Sequence, residues 1–516
     1  MVRDTNGRNR RKGMSHNSFL AFDIGAESGR ALLGTLKKNE IQVQEVYRFN
    51  NRMISKGGHV YWDVHYLFQE IKKGISKGAN ASKSSVCSIG IDTWGVDFGL
   101  FDKEDHLISL PFAYRDTRNK KAMIEFLGKI PPREVYDLTG IQFLQFNSLF
   151  QLYALRTQNP EFITRGKNLL FMPDIFNYFL TGEMVTEFSY ATTSQLFNPC
   201  KDEWEERLFK ILDVPVSLMQ DVETAGQTIG LLKKSVAEQT GIASVPVVLT
   251  ATHDTASAVA AVPAQGKEWA FISSGTWSIM GIELDSPLIN EESFILNFTN
   301  EGGIGHKFRL SKNITGLWLL QECRKKWRGR SNIEYGELMR TVSSAKPFRS
   351  LIDPDCHLFL KPADMTEAIR EFCQKTGQPC PETISEFVRC VLESLAFKYK
   401  CVFDELCSLC SRRISKVHII GGGSRNRVLC QYTADALGLP VVAGPAEATA
   451  VGNIMIQTLS VDKVDSIENV RNMISASFDL RIYDPAESEE WERHYNRFRR
   501  VCRESRKEIE GLDYNR

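Results

Sequence analysis

The sequence predicts an α/β protein built from two similar lobes with a cleft between them. Short β-rich runs alternate with longer amphipathic runs, as in layered α/β structures. A strand, a glycine-containing turn and a second strand occur early in the chain and again in its second half. A chain of 516 residues is also longer than one ordinary domain. A duplicated protein whose small-molecule site lies between its halves is therefore expected.

The first half is predicted to begin with the first glycine-turn hairpin and to end on a buried strand and a helix. Helical periodicity with many aromatic side chains dominates the region between them. The predicted elements are a hairpin at residues 19–36, a second strand pair at 88–102, helices within 116–240, a strand at 245–250 and a helix at 254–262.

The second half repeats the hairpin and contains one long helix. In that helix Ile384, Phe387, Val391 and Leu395 recur at spacings of three or four residues, which makes one apolar stripe. The charged residues near the C-terminus predict a solvated capping helix. The elements are a hairpin at 270–284, the long helix at 382–410, a strand at 417–420 that runs into three glycines, and the terminal helix.

These elements divide the chain into four predicted segments, with a Pro-Ala-Gln-Gly linker after the first lobe. They are a disordered basic tail (1–17), an N-terminal lobe (18–262), a C-terminal lobe (263–480) and a charged helix (481–516).

Composition narrows the class of partner. A net charge of +1 argues against nucleic acid and against a membrane surface. Neither an apolar run of membrane-spanning length nor a secretory signal is present, so a cytoplasmic location is expected. Cys407 and Cys410 form one CxxC without further zinc ligands at suitable spacing, which favours buried, reduced thiols over a zinc site. Nothing in the sequence indicates the oligomeric state.

Two glycine turns could bind phosphate groups. In FDIGAESGR, Asp23 precedes a turn whose glycines allow backbone N–H groups to approach a polyphosphate, while Ser28 and Arg30 add donors. Asp23 could also hold Mg²⁺ through water. In FISSGTWS, residues 273–278 offer small hydroxyl donors from the other half. Either segment alone could equally be an ordinary polar hairpin, but matching positions in two halves favour a nucleotide site.

The strand that ends in Gly421, Gly422 and Gly423 precedes a helix, an arrangement suited to a nucleotide. Its spacing is not that of a dinucleotide fingerprint. The P-loop motif and the protein-kinase motifs are absent from the sequence, which excludes both folds.

The segment LTATHDTAS places Asp254 where a buried strand meets a helix. There it could accept a proton from a substrate hydroxyl as that oxygen attacks phosphorus. Asp254 could instead only cap the helix. His253 could contact a sugar hydroxyl or serve the structure alone.

Two further segments could bind a sugar. In DTWGVDF, Trp94 offers an apolar face beside Gly95, although packing in the core explains this tryptophan equally well. Asn313 and Gln321, which flank Trp318, are predicted to lie on one helix.

Taken together, these segments resemble the FGGY carbohydrate kinases. The resemblance extends in order over about residues 19–460 and rests on FDIGAESGR, IGIDTWGVDFGLFD, THDTASAVAAVP, ISSGTWSIMGIE, KNITGLWLLQE and HIIGGGSRN with AGPAEATAVGNIMIQ. It implies an actin-like ATPase fold of two RNase H-like lobes, in which the N-terminal lobe carries the sugar and phosphate sites and the base and the C-terminal lobe binds the nucleotide. The implied activity is ATP-dependent, Mg²⁺-assisted phosphorylation of the C1 hydroxyl of L-rhamnulose in L-rhamnose catabolism.

The resemblance also implies roles for individual residues. Asp254 would be the catalytic base, and Asp23 would organise Mg²⁺. The implied sugar contacts are Gly95, His253, Asp254, Thr255 and Asn313. The implied ATP contacts are Ala26, Glu27, Ser28, Gly29, Arg30, Thr276, Gln321 and Gly422.

One residue departs from the family pattern, and other functions stay open. Glu27 stands where the family has serine, so it points to solvent, helps to hold the metal or weakens ATP binding. The sugar could be another ketose, such as L-fuculose or L-xylulose. A non-catalytic actin-like sugar sensor is the alternative from a different class.

Overall fold

The computed structural model describes residues 17–82, 85–328, 335–461 and 463–508, so the predicted basic tail lies outside it except for Asn17. The strands are β1 (Asn17–Ile24), β2 (Ser28–Lys37), β3 (Glu40–Asn50), β4 (Met53–Lys56), β5 (His59–Trp62), β6 (Val86–Thr93), β7 (Phe98–Phe101), β8 (Asn168–Phe171), β9 (Thr186–Glu187), β10 (Phe197–Asn198), β11 (Glu203–Trp204), β12 (Val222–Glu223), β13 (Gln227–Leu231), β14 (Pro246–Leu249), β15 (Trp269–Ser274), β16 (Trp277–Leu284), β17 (Thr299–Gly302), β18 (Phe308–Thr315), β19 (Lys416–Ile420), β20 (Val441–Ala443) and β21 (Arg481–Tyr483).

The helices surround these strands. They are α1 (Val64–Ala81), α2 (Arg118–Leu127), α3 (Pro132–Thr139), α4 (Ser148–Gln158), α5 (Pro160–Arg165), α6 (Met172–Thr181), α7 (Phe188–Thr193), α8 (Glu206–Leu212), α9 (Lys234–Thr240), α10 (Asp254–Ala260), α11 (Glu291–Ile295), α12 (Trp318–Arg328), α13 (Tyr335–Thr341), α14 (Met365–Lys375), α15 (Ile384–Leu409), α16 (Arg427–Leu437), α17 (Ala448–Ser460), α18 (Ile467–Ser477) and α19 (Ser488–Glu508).

Two large sheets share one topology. The N-terminal sheet has the order β13-β14-β6-β1-β2-β3, and the C-terminal sheet has the order β17-β18-β16-β15-β19-β20-β21. In the first sheet β1, β2 and β3 are antiparallel, and β6 and β14 continue parallel to β1. In the second sheet β15, β16 and β18 are antiparallel, and β19 and β20 continue parallel to β15. The predicted duplication and both predicted glycine-turn hairpins are therefore confirmed.

The long helix α15 also forms where its apolar stripe predicts it. Thr383 caps its N-terminus, and Glu386 completes the capping box by accepting from the Thr383 backbone N–H. The stripe residues Phe387, Val391 and Leu395 are buried in the core of the C-terminal lobe.

The prediction of a strand pair at residues 88–102 was wrong. β6 lies in the large sheet, whereas β7 pairs with β8 in a separate two-stranded sheet. Between them Val96 adopts the left-handed backbone conformation (φ 73°), which directs the chain away from the first sheet.

The C-terminal helix is less solvated than predicted. Trp491, Tyr495, Phe498 and Val501 recur on one face of α19 and are all buried. Residues 481–483, predicted to belong with this helix, instead form the edge strand β21 of the large sheet. No helix in the described part of the chain has the length and apolarity to cross a bilayer.

Helices α10 and α17 pack against each other where the two lobes meet. A Cβ atom on Gly452 would lie 1.8 Å from the carbonyl oxygen of Ser257, so only glycine allows this approach. Phe19 and Phe271, from equivalent strands, share one apolar cluster with Val259 and Ile454. The lobes therefore meet through a packed core, beside which the cleft opens.

Candidate active site

A cavity of about 470 Å³ lies between the lobes, within the size range of small-molecule sites. Both glycine turns line it, the first through Ala26 and Ser28 and the second through Gly275 and Thr276. Apart from Gly29 and Gln321, every site residue predicted from the sequence lines this cavity. Residues from six separated segments of the chain are thus brought together.

Charged groups surround the turn of the N-terminal lobe. Arg30 on β2 pairs with Asp23 at the end of β1 and with Glu447, which directly precedes α17. Glu447 also accepts from Arg425 at 2.6 Å. Burial alone would lower the pKa of Arg30, but the carboxylates of Asp23 and Glu447 raise it. The turn is thereby tied to the C-terminal lobe by ion pairs.

The turn of the C-terminal lobe packs on the triple glycine. Gly421 has a φ of 79°, and a Cβ on Gly423 would lie 2.1 Å from Ser274 Oγ. By contrast, a Cβ on Gly422 would meet nothing within 4 Å. Two glycines therefore allow the backbone to fold closely, while Gly422 leaves an open surface that faces the cavity.

Asp254 begins α10, and buried polar contacts position the segment before it. Glu187, fully buried, accepts from the backbone N–H of Thr252 at 2.9 Å. The N-cap position belongs to His253, so the alternative that Asp254 caps the helix was wrong. Thr255 Oγ1 donates to Asp254 Oδ1 at 2.9 Å.

The Asp254 side chain is 33% exposed and lines the cleft. Its recessed position, together with the charge of Asp23, raises its pKa to about 6. At neutral pH the group is therefore mostly ionised and able to accept a proton.

Two further carboxylates lie beside the end of β1. Asp23 and Asp92 occupy neighbouring positions on the parallel strands β1 and β6. Asp92 accepts from Asn453 Nδ2 at 2.6 Å, while its other oxygen is buried without a hydrogen-bond partner. Burial and the charge of Asp23 hold the pKa of Asp92 well above its usual value.

The predicted sugar residues Gly95, His253, Thr255 and Asn313 line the same cavity. The prediction that Asn313 lies on a helix was wrong, since it is on β18 and only Gln321 lies on α12. Asn313 Nδ2 donates across the lobe interface to Gln142 Oε1 at 3.0 Å.

Both interpretations of Trp94 apply in part. The ring is 6% exposed, packs on Trp62 with centroids 4.3 Å apart and donates from Nε1 to Asp97 at 2.9 Å. Trp94 is therefore a core residue whose remaining surface faces the cavity.

Gly29 and Gln321 lie outside the cavity lining. A Cβ on Gly29 would lie 2.2 Å from the Phe49 ring, so this glycine serves packing beneath the turn. Gln321 Oε1 accepts from Thr276 Oγ1 at 3.3 Å and so contacts the second turn indirectly. Glu27 is exposed at the tip of the first turn and borders the cavity.

Sequence reasoning missed four residues at or beside the site: Gln142, Glu301, Arg309 and Glu447. Glu301 and Asn313 line the same cavity from neighbouring strands β17 and β18. Arg309 is fully buried beside Glu301 and His253. No local motif marks Gln142, Glu301 or Arg309, because each contacts a partner more than fifty residues away or on a neighbouring strand. Glu447 lies within AGPAEATAVGNIMIQ, but that segment alone does not show its ion pair with Arg30. The CxxC cysteines Cys407 and Cys410 are free thiols, but Cys407 is exposed and Cys410 is only half-buried, so the prediction that they are buried was wrong. The described residues contain no group of three or more His, Cys, Asp or Glu side chains that could hold a metal.

The duplicated lobes and the cleft between their glycine turns define an actin-like, two-lobed small-molecule kinase. Residues 18–261 match the N-terminal domain of the FGGY family of carbohydrate kinases, and residues 270–461 match its C-terminal domain. The chain belongs to the FGGY family of carbohydrate kinases. It is therefore an enzyme that uses ATP and a sugar as substrates.

Individual relatives cover nearly the whole chain. The chain is 46% identical to a rhamnulokinase of Bacteroides thetaiotaomicron over 486 residues, which is 94% of this chain and 99% of that protein. It is 40% identical to a rhamnulokinase of Halalkalibacterium halodurans over 474 residues, with 92% and 100% covered.

Solved structures share the fold at low identity. A ligand-bound xylulose kinase from Lactobacillus acidophilus superimposes with a TM-score of 0.80 at 13% identity, covering 96% of this chain and all of that one. A Plasmodium falciparum glycerol kinase with ADP gives 0.77 at 17% identity, with 95% and 98% covered. These likenesses concern the fold alone.

Proposed function

We propose that the protein transfers the γ-phosphoryl group of ATP to the C1 hydroxyl of L-rhamnulose, giving L-rhamnulose 1-phosphate and ADP. The relatives that are 46% and 40% identical are both rhamnulokinases, which favours this sugar over L-fuculose or L-xylulose. The observation that carries the proposal is the position of Asp254, whose carboxylate faces one cavity that both glycine turns line.

Asp254 acts as the base in this reaction. Its carboxylate takes the proton of the C1 hydroxyl while that oxygen attacks the γ-phosphorus and the bond to the β,γ-bridging oxygen breaks. A pKa of about 6 leaves the group charged at neutral pH, yet basic enough to hold the proton briefly.

The two glycine turns, together with Gly422 of the triple glycine, hold the phosphate groups of ATP from opposite sides. Backbone N–H groups at Ala26–Ser28 and at Gly422, with the Thr276 hydroxyl, supply hydrogen-bond donors, and Arg30 supplies positive charge. All of them line the cavity. Gln321 contributes by orienting Thr276, and Gly29 by allowing the turn to pack on Phe49.

The sugar lies at the other end of the cavity, against Gly95, His253, Thr255 and Asn313. A surface of one glycine and several hydrogen-bonding side chains suits a polar ketose. Because Asn313 is held by Gln142 from the opposite lobe, the sugar contacts depend on the two lobes being together.

The residues near the phosphate end fit Mg²⁺. This ion is commonly bound through one or two carboxylates together with substrate phosphates and water, rather than by a cage of protein ligands. Asp23 faces the cavity as such a carboxylate, and Asp92 beside it has an oxygen without a hydrogen-bond partner. When bound, Mg²⁺ would neutralise charge on the phosphate oxygens.

A substrate panel tests the proposed function. The purified protein is given ATP and Mg²⁺ with L-rhamnulose, L-fuculose, L-xylulose or no sugar, and ADP release is measured. We expect kcat/KM for L-rhamnulose to exceed that for the other ketoses by about tenfold or more, because a site built to hydrogen-bond hydroxyls rejects a misplaced one.

Two results would contradict the proposal. A preference for another ketose would move the protein to a different sugar within the family. ADP release that no ketose stimulates would instead favour the sugar sensor.

A further inference from the structure

The buried guanidinium of Arg309 reaches across the lobe interface to His253. Arg309 lies on β18 of the C-terminal lobe and has no exposed surface. Its Nε donates to the carbonyl oxygen of Gly302 at 2.9 Å, and its Nη2 donates to Glu301 Oε2 at 3.0 Å. The same Nη2 lies 3.1 Å from His253 Nδ1. A fixed donor thus stands against one particular nitrogen of the imidazole.

This contact determines where the imidazole carries its proton. A guanidinium offers only donors, so His253 Nδ1 must be the acceptor and carries no hydrogen. The single proton of a neutral imidazole then lies on Nε2. Burial and the charge of Arg309 lower the pKa of His253 well below its usual value, which keeps the ring neutral.

We propose that Arg309 is a positioning residue that fixes His253 as its Nε2–H tautomer, so that His253 donates a hydrogen bond to the bound ketose and cannot act as the base. This proposal rests on the proposed function for the identity of the substrate. The tautomer itself follows from contacts within the chain.

The Nε2 atom faces the cleft at the predicted position of the ketose. It lies 3.4 Å from Asp254 Oδ1, and a Cβ on Gly95 would lie 3.3 Å from it. A donor there can hold an oxygen of the ketose beside the carboxylate that takes the proton. Since Nε2 already carries a hydrogen, Asp254 is the only one of these two neighbours that can accept one.

The surroundings of the ring disfavour the other tautomer. Glu301 Oε2 lies 3.5 Å from Nδ1 and could accept from an Nδ1–H group, but that hydrogen would also face the N–H of Arg309. The other group packed on the ring is Tyr190, whose phenol ring approaches edge-on with centroids 6.4 Å apart. Glu301 therefore serves to hold Arg309, and both residues belong to the C-terminal lobe.

Nitrogen NMR of the full-length protein with ¹⁵N-labelled histidine reads the tautomer directly. The chain has nine histidines, and His253→Gln identifies the resonances of interest by their loss. In the wild-type protein we expect the Nε2–H pattern between about pH 5.5 and about pH 8. In Arg309→Met we expect a mixture of tautomers and a higher pKa of His253 than in the wild-type protein, because the neighbouring positive charge is lost.

Kinetics of the same variants separate a positioning role from a structural one. We expect Arg309→Met to raise the ketose KM about tenfold or more, to leave the ATP KM within about twofold, and to steepen the acidic limb of the pH profile of kcat/KM. Arg309→Lys, which keeps one charged donor, should recover part of the ketose KM.

The matched control is Arg471→Met. Arg471 is also buried and pairs with a carboxylate, Glu283, at 2.8 Å, but neither residue lines the cavity. This variant should leave the His253 pattern and both KM values unchanged. It thereby measures what the loss of a buried arginine does to the fold alone.

An Nδ1–H pattern in the wild-type protein would overturn the proposal, as would Arg309→Met with unchanged tautomer and ketose KM. If Arg309→Met does not fold, the spectra of the wild-type protein and of Arg309→Lys still show which tautomer His253 adopts. The NMR measurement needs no turnover. A protein that shows the Nε2–H pattern but phosphorylates no ketose would refute the proposed function and leave the positioning role of Arg309 standing.

Discussion

The two glycine turns occupy equivalent places in the two lobes but carry different chemistry. At the end of β1, Asp23 pairs with Arg30 across the hairpin and lies next to Asp92 on the parallel strand. At the corresponding end of β15, Ser273 lies opposite Ile279 and next to Ile420. One topology thus holds charged groups in the first lobe and hydroxyls with apolar neighbours in the second. The shared topology places both turns at the cleft, and their different side chains give the two turns different chemistry there.

The largest effect is expected at Asp254, the proposed base, which belongs to the N-terminal lobe. Asp254→Asn keeps the size of the side chain but removes its ability to take a proton. We expect kcat to fall by about 10²–10⁴ with ATP and ketose binding largely kept, as measured by ADP release and by titration calorimetry. Turnover near the wild-type rate would remove Asp254 from the reaction.

The pH profile of the wild-type enzyme complements this variant. Because the pKa of Asp254 is raised to about 6, the base is protonated and inactive below that pH. kcat/KM should therefore rise with pH through about 6 and level off above it. A flat profile between about pH 5 and 7 would contradict the role of this carboxylate.

Removing one polar group from equivalent positions of the two turns gives the next largest effect. Asp23→Asn removes the carboxylate that we propose holds Mg²⁺ and should lower kcat by about 10²-fold or more. Ser273→Ala removes one hydroxyl at the equivalent position and should cost less than about tenfold. Comparable losses in ADP release from the two variants would show that the lobes do not differ as described.

Two neighbouring glycines test whether the second lobe acts through its backbone. Gly423→Ala places a methyl group against Ser274 and should destabilise the fold by about 1–3 kcal/mol in chemical unfolding. Gly422→Ala meets no atom and should leave stability within about 0.5 kcal/mol while raising the ATP KM. An unchanged ATP KM would place the nucleotide elsewhere.

The smallest effect is expected at Glu27. This exposed carboxylate borders the cavity, so Glu27→Gln should lower the ATP KM by about two- to threefold at low salt and by less at high salt. Glu238→Gln, at an exposed position on α9, is the matched control and should change nothing. An increase in the ATP KM for Glu27→Gln would instead show that Glu27 helps to bind the metal.

Much of the fold was predictable because its signals are local. Both hairpins were recognised from glycine turns between apolar runs, and α15 was recognised from its stripe. The stripe of α19 was also present, but the many charged residues between Trp491, Tyr495, Phe498 and Val501 concealed it. Asn313 was placed on a helix because Gly316, which separates β18 from α12, was not taken as a break.

The site was predictable only where a motif spans it. Asp23, Gly95, Asp254 and Thr276 lie in short segments that also build their own surroundings. Glu301 lies on strand β17 and Arg309 on strand β18, and their partner His253 is about fifty residues away in the other lobe. Such a contact exists only after the lobes assemble, so the order of residues along the chain gives no sign of it.

A crystal structure with a non-hydrolysable ATP analogue and L-rhamnulose is the most direct test of whether Asp254 faces a ketose and a nucleotide held between the two turns. We expect the terminal phosphate to lie between the turns at Ala26–Ser28 and Gly275–Thr276, with the C1 hydroxyl oxygen about 2.6–3.2 Å from the Asp254 carboxylate. A nucleotide bound outside these turns, or a C1 hydroxyl beyond hydrogen-bond reach of Asp254, would contradict it.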